Sequence, residues 1–303
     1  MSVNRRPWFG AFLVVLGAIF FSSKAVIVKL AYQYGVDPIS LLTLRFLFSL
    51  PIFLVVAYRA RRRRTKSLTR TEKIQIVVFG VAGYYLASLL DFLGLQFVPA
   101  SVERLLLFAY PTFVVLISWL VLRQPVKRIQ WLALIITYIG IGVTFAEGAQ
   151  LSDEPRFLLG AVLVMLCALT YAVYLVGSGH LLPKLGTWRY TSLAMSAACV
   201  AILFHHLVAY RWDLWQFPMP VYGLSVLMAL IATVLPVFMI SEGIRLVGAS
   251  NAAILGSVGP ISTIILASIF LGESLGSWQW AGAALVIFGV VLIATQKRST
   301  VDG

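Results

Sequence analysis

The chain has 303 residues, of which 60% are apolar or aromatic and 12% are charged. With a mean hydropathy of +0.94, an ordinary soluble domain is excluded, because such a domain has about 45–50% apolar and about 25% charged residues; lipid is the solvent for much of this surface. A net charge of +13 would suggest nucleic acid on a soluble protein, but in a membrane chain it poses the question of which side carries the charge.

Apolar runs long enough for a helix to cross about 30 Å of hydrocarbon recur along the chain. Ten spans are predicted, at 8–33, 38–59, 74–97, 101–122, 129–146, 157–178, 188–210, 220–244, 249–271 and 277–296. An all-α, polytopic membrane protein follows. The first run continues to about residue 31, past the length of a signal-peptide core, and is read as a retained helix. Turn chemistry separates the runs at Gly35-Val36-Asp37-Pro38, Val98-Pro99, Ser152-Asp153-Glu154-Pro155, Leu182-Pro183, Phe217-Pro218-Met219-Pro220 and Val247-Gly248. The shortest break is at 97–101, and without it nine spans would result. Cys167 and Cys199 lie inside apolar runs and form neither a disulfide framework nor a C-x-x-C site.

Basic residues test the count independently, since Lys and Arg collect on the cytoplasmic side. With ten spans and a cytoplasmic N-terminus, 18 of the 24 Lys and Arg residues fall inside. Only Arg104, Arg156 and Arg211 fall outside, and Lys24, Lys29 and Arg45 lie within spans. Acids show the opposite bias, with Asp37, Glu103, Glu147, Asp153, Glu154, Asp213 and Glu273 outside. Both termini are therefore expected to be cytoplasmic, in a bacterial inner membrane. The basic 59–73 loop, with Arg61 to Arg64, is read as a topology determinant facing anionic membrane lipid, with no nucleic-acid partner.

The halves resemble each other. Residues 91–146 laid on 240–295 without a gap give ten identities in 56 positions, among them Gly94/Gly243, Ala100-Ser101/Ala249-Ser250, Pro111/Pro260, Gln130-Trp131/Gln279-Trp280 and Gly140/Gly289. Five spans per half is an odd number, so the halves enter the membrane in opposite senses. Inverted repeats of this kind mark secondary transporters, with a substrate site near the midplane between repeats.

On these residues the chain resembles the EamA family of the drug/metabolite transporter superfamily. The matching features are Gly17-Ala18-Ile19-Phe20-Phe21-Ser22-Ser23-Lys24, Leu44-Arg45-Phe46, Leu106-Leu107-Phe108-Ala109-Tyr110-Pro111, Ala249-Ser250-Asn251-Ala252-Ala253 through Pro260, Leu271-Gly272-Glu273-Ser274 and Gln279-Trp280-Ala281-Gly282-Ala283. The resemblance implies two five-helix EamA-like repeats (8–146 and 157–296), a cavity lined mainly by helices 1, 3, 4, 6, 8 and 9, and transport of small metabolites, often outward. One departure is visible. The acid that follows helix 9 as Glu273 has Arg123-Gln124-Pro125 in its place after helix 4, which is expected to alter loop geometry or orientation more than substrate choice.

Charges within spans are costly and mark functional sites by default. Lys24, Asp91 and, nearer the outer boundary, Glu103 and Arg104 all belong to the outer half of the first repeat. Arg45 can pair or snorkel, Glu103 and Arg104 can form a solvated helix start, and Glu242 can pair with Arg245 at i, i+3. Lys24 and Asp91 are either a substrate site or a mutual ion pair that fixes helices 1 and 3. Tyr84, Ser88 and Asp91 share a helix face, as do Glu103 and Tyr110, and Tyr171, Tyr174 and Ser178; each tyrosine is a candidate for either packing or binding. Pro111 and Pro260 occupy corresponding sites and are candidate gating hinges. Gly248, Ala252, Gly256 and Pro260 form a small-residue ladder read as a packing face. His205 and His206 have no third ligand beside them, so interfacial packing is favoured over metal binding.

The expected activity is secondary transport by alternating access, most simply export of a small polar or zwitterionic metabolite such as an amino acid or amine. No cofactor is implied. A proton exchanged at Asp91 or Glu103 and facilitated diffusion fit the sequence equally well. Import or facilitation of a nucleoside- or sugar-like substrate is the alternative, followed by a non-transporting sensor or subunit. Against an enzyme, the sequence has no H-E-x-x-H, no nucleophile–base set and no phosphate loop; against a channel, its polar positions form no ring. A monomer and a homodimer are both compatible with it.

Overall fold

A computed structural model describes residues 7–62, 68–123, 126, 128–151, 154–179, 181–247, 252, 255–256 and 258–294. Those residues contain helices and no strand. Eight helices are long and apolar enough to cross a membrane: Trp8–Tyr32, Pro38–Ala60, Arg70–Gly94, Ala100–Val121, Arg128–Gly148, Phe157–Ser178, Thr187–Tyr210 and Met219–Ile244. Two shorter apolar helices follow, Val258–Leu271 and Ser277–Leu292. The surface is apolar: Trp8, Leu120, Val121, Phe204, Ile269 and Trp278 are all exposed. With buried charges inside and apolar side chains outside, the chain is a multi-pass integral membrane protein.

The elements run α1 (Pro7–Tyr32), α2 (Pro38–Arg62), α3 (Arg70–Gly80), α4 (Ala87–Gly94), α5 (Ala100–Leu107), α6 (Tyr110–Leu122), α7 (Arg128–Leu151), α8 (Phe157–Ser178), the short α9 (Leu181–Leu185), α10 (Thr187–Tyr210), α11 (Met219–Ala229), α12 (Leu235–Val247), α13 (Val258–Leu271) and α14 (Ser277–Ala294). Helix α3 starts four residues before the predicted span because Thr69 and Glu72 form a capping box, the hydroxyl accepting from the Glu72 amide and the carboxylate from the Thr69 amide. The break at 97–101 is present, as a turn between α4 and α5. Of the basic loop, residues 63–67 lie outside the described residues, as do Gln124 and Pro125 of the departing Arg123-Gln124-Pro125 segment.

Two spans are joined through π-helical turns. Val81–Leu86 connects α3 to α4, and Leu230–Val234 connects α11 to α12. The register that lays 91–146 on 240–295 also lays Val81 on Leu230, so the two π turns begin at equivalent positions of the repeats. Such turns concentrate at functional sites.

Packing follows the same exchange. Helix α1 packs against α12 and α13, and α8, its counterpart, packs against α4 and α6. Helix α2 packs against its counterpart α10, and α7 against its counterpart α14. The α7–α14 crossing is close because glycines meet there: a Cβ on Gly140 would lie 2.7 Å from the Gly282 carbonyl, and one on Gly282 would lie 2.6 Å from the Gly140 carbonyl. Small residues at such points let helix backbones approach where lipid offers no hydrophobic drive. Of the predicted ladder in helix 9, Ala252 and Pro260 are buried. Gly248 lies outside the described residues, and a Cβ on Gly256 would meet nothing within 4 Å. The close approach of a glycine falls on Gly259, the residue before Pro260.

Candidate functional site

The buried polar residues of α1, α4 and α5 converge. Lys24 Nζ donates to Asp91 Oδ2 at 2.5 Å and lies 3.5 Å from Glu103 Oε1. All three side chains are buried, and Glu103 is fully so. With both acids ionised, no donor among the described residues satisfies either oxygen of Glu103 or Oδ1 of Asp91; the two carboxyls lie within hydrogen-bonding reach of each other, where a shared proton would join them. Two carboxylates thus face one ammonium. Burying charge is tolerable only when it is paired and hydrogen-bonded, and here the pairing is incomplete.

Arg104 supplies the second cation, from the residue after Glu103. Its Nη2 donates to Ser22 Oγ at 3.2 Å, and its guanidinium lies 5.0 Å from the Phe21 ring and 5.6 Å from the Phe108 ring. Its Nε has no partner among the described residues. Ser22 hydroxyl is shared between the carbonyls of Ala18 and Gly259, at 2.7 and 2.9 Å. Through Ser22 and Gly259 the cation is held by both repeats. Glycine is needed at 259 for this: a Cβ there would lie 2.9 Å from Arg104 Nη2 and 3.2 Å from Ser22 Oγ.

Glu103 and Arg104 are therefore not a solvated helix start. Helix α5 is covered by α1, α7, α8 and α13, and all eight of its residues are buried. The shared face of Glu103 and Tyr110 also needs correction, because the span is interrupted at Phe108–Ala109 and Tyr110 belongs to a separate helix. Pro111 stands in the first turn of α6, where a missing amide costs nothing, so it starts a helix after a break and does not kink a continuous one. Pro260, at the repeat-equivalent position, lies near the start of the described α13, with Leu255 and Gly256 before it also helical.

From Arg104 a tyrosine series leads toward the far end of α8. Tyr110 meets Tyr171 edge-on at 5.3 Å, Tyr171 stacks on Tyr174 at 5.8 Å, and Tyr174 OH bonds Tyr84 OH at 2.8 Å. Tyr174 also stacks at 6.3 Å on Tyr190, whose hydroxyl lies 2.5 Å from Ser178 Oγ. Ser88 is half-buried one turn from Tyr84 and from Asp91 and takes no part in the ion-pair set.

Other expected residues lie elsewhere. Arg45 does not snorkel: it is buried against Phe46 and Phe92 and donates from Nε to Thr233 in the second π turn at 2.7 Å. Glu242 sits beside Gly243, which packs on Val14 of α1, roughly 10–15 Å along the helix from Lys24. It is not part of the charged group, and the side chain of its proposed partner Arg245 lies outside the described residues. His205 bonds Tyr85 at 2.8 Å and His206 bonds Ser40 at 3.1 Å, so each serves a different contact. A groove of about 470 Å³ between α6 and α7, lined by Leu116, Trp131, Leu134, Ile135, Tyr138 and Ile139, is apolar and includes none of these charged residues.

Sequence reasoning missed Ser22, Gly259, Thr233 and Tyr190. A serine within an apolar helix is indistinguishable from packing until the helix it faces is known. The signal available for Ser22 was its place one turn-half before Lys24 in the helix-1 run.

This geometry can be compared with known proteins. The model of the EamA-like transporter family matches the chain twice, at residues 8–146 and 158–295. The uncharacterized transporter YcbK of Bacillus subtilis is 32% identical, over 99% of this chain and 97% of that protein. The uncharacterized transporter sll1319 of Synechocystis is 25% identical over 97% and 95% of the two chains, and an uncharacterized transporter of Archaeoglobus fulgidus is 26% identical over 94% and 96%. One solved crystal structure superposes with a TM-score of 0.62 at 17% identity, covering 93% of this chain and 95% of the other, which speaks for a shared fold. Matched through both of its halves, the chain belongs to the EamA-like transporter family, and its general function is transport.

Proposed function

We propose that this protein is a secondary exporter of small polar or zwitterionic metabolites, amino acids or related amines, working by alternating access without enzymatic chemistry. Ten helices in two inverted five-helix repeats, bounded at 8–146 and 157–296, cross a bacterial inner membrane with both termini cytoplasmic. Support for the inversion comes from the exchange-symmetric packing and the equivalent π turns.

The observation that carries the substrate class is the buried mixed-sign set itself. Lys24, Asp91, Glu103 and Arg104 sum to zero charge when all four are ionised, and in that state Glu103 and Arg104 Nε retain unsatisfied polar atoms. A zwitterion offers a donor to the first and an acceptor to the second, so its binding would satisfy both. Tyr110, Tyr171 and Tyr174 would border its path. Coupling to a proton at Asp91 or Glu103 belongs to the same reading, with facilitated diffusion as its uncoupled form.

Purified protein in liposomes is expected to move at least one member of a panel of amino acids, amines and nucleosides, and Lys24→Ala and Asp91→Ala are expected to lower that flux at least tenfold. Well-folded variants that transport at the wild-type rate would remove the site assignment. A second reading is favoured by the 2.5 Å contact of Lys24 with Asp91: the pair is a packing device between α1 and α4. In that case both variants lose thermal stability while the residual folded protein keeps its affinity for substrate.

A further inference from the structure

Two carboxylates tie the repeats together at one end of the bundle. Glu273, just after α13, accepts from the Ala100 and Ser101 amides at 2.8 and 3.0 Å and from the Ser101 hydroxyl at 2.7 Å. Those amides open α5 in the other repeat. Glu147, near the end of α7, accepts from the Gln279 amide at 2.5 Å in the first turn of α14, again across the repeats. Gly276 makes room for it, since a Cβ there would run into the Glu147 carboxylate. Each carboxylate ends a helix of one repeat and caps a helix of the other, where free amides and the helix dipole favour negative charge.

Both contacts are at the end where α1 and α4 finish, since Tyr32 OH donates there to the Phe92 carbonyl at 2.6 Å. Lys/Arg asymmetry makes this the outer end. At the opposite end the repeat-equivalent positions are amides by sequence: Glu273 aligns with Gln124, and Glu147 with Gln296. A neutral side chain at a helix N-terminus lacks the charge-assisted bond, which is roughly twice as strong as a neutral one. Gln124 and Gln296 lie outside the described residues, so the comparison is one of sequence: only the outer positions carry carboxylates.

We propose that Glu273 and Glu147 form an outer latch that regulates access to the buried charged site, holding its outer mouth shut and biasing the resting protein toward the state closed on that side. This rests on the alternating-access reading. Opening outward requires α13 to leave α5 and α7 to leave α14, so both caps must release together.

The test reads distance and needs no substrate. Spin labels are placed on exposed outer positions Tyr34 and Leu158, and in a second sample on exposed inner positions Trp8 and Thr71, in full-length protein with Cys167 and Cys199 replaced by serine, in lipid nanodiscs. Glu273→Gln and Glu147→Gln are each expected to raise the outer-open population at least fivefold, and the double variant more, while the inner distances do not widen. Ser101→Ala removes one of the Glu273 bonds and is expected to act in the same direction more weakly. It decides the matter if the glutamine variants fail to fold. Unchanged outer distances with a lowered melting temperature would overturn the proposal and leave two ordinary helix caps. Absence of any flux in wild-type liposomes, with the outer distances still responding, would sink the transport reading and not the latch.

Discussion

At the scale of single residues, the charges buried in α1, α4 and α5 are the costliest feature of the molecule. Removing one partner of a buried pair leaves an uncompensated charge and costs about 3–5 kcal/mol, whereas removing both is often near neutral. Lys24→Met is therefore expected to destabilise by that amount, and Lys24→Met with Asp91→Asn by clearly less, because Glu103 then keeps the only unpaired charge of the three. Thermal unfolding in detergent of the two singles and the double measures the coupling. Lys24, Asp91, Glu103 and Arg104 were all legible in the sequence, since a charge inside an apolar run stands out. The burial of Glu103 and Arg104 was not. Glu103 and Arg104 lie at the start of a helix, where hydropathy places them in water, and only the cover provided by α7, α8 and α13 takes them out of it.

Helices were legible in their existence and general limits, because twenty apolar residues between turn signals leave little choice. Their interruptions were not. Hydropathy is the same whether a carbonyl bonds the fourth or the fifth amide along, so neither π turn could be seen in it, and the break at Phe108–Ala109 lies within an unbroken apolar run. The proline that follows was visible but was read as a hinge inside one helix. Helix contacts show the opposite case: Gly140 and Gly289 stood out as repeat identities, and the α7–α14 crossing explains Gly140. Gly140→Leu is expected to cost about 1–3 kcal/mol by overpacking against the Gly282 carbonyl, while Gly142→Leu, where a Cβ meets nothing within 4 Å, should leave the melting temperature nearly unchanged. Comparing the two melting curves separates a crossing-point effect from the general cost of losing a glycine.

For the whole molecule, the repeat explains more than the pairwise contacts do. Exchange of α1 with α8, and self-pairing of α2 with α10 and α7 with α14, mean that any motion available at one end has a counterpart at the other. Departures from symmetry then carry the direction. The largest is charge: 18 of 24 basic residues fall on one side of the ten-span topology. The proposed ten-span topology would put both termini on the same, cytoplasmic side, so alkaline phosphatase fused to either terminus should be inactive and green fluorescent protein at either terminus fluorescent. A terminus that activates phosphatase would refute an even number of spans with the N-terminus inside.

The π turn between α3 and α4 also sets a phase. Helix α3 is fixed at its start by the Thr69–Glu72 capping box and by the ion pair of Glu72 with Lys184, and α4 carries Asp91 at the other end of the same span. Each residue added or removed between two such anchors turns one against the other by about 100°. Deleting one residue within Val81–Leu86 is therefore expected to swing Asp91 away from Lys24, abolishing their coupling in a double-mutant cycle although no charged residue has been touched. A shift in helical register, held in six uncharged residues, aims the carboxylate.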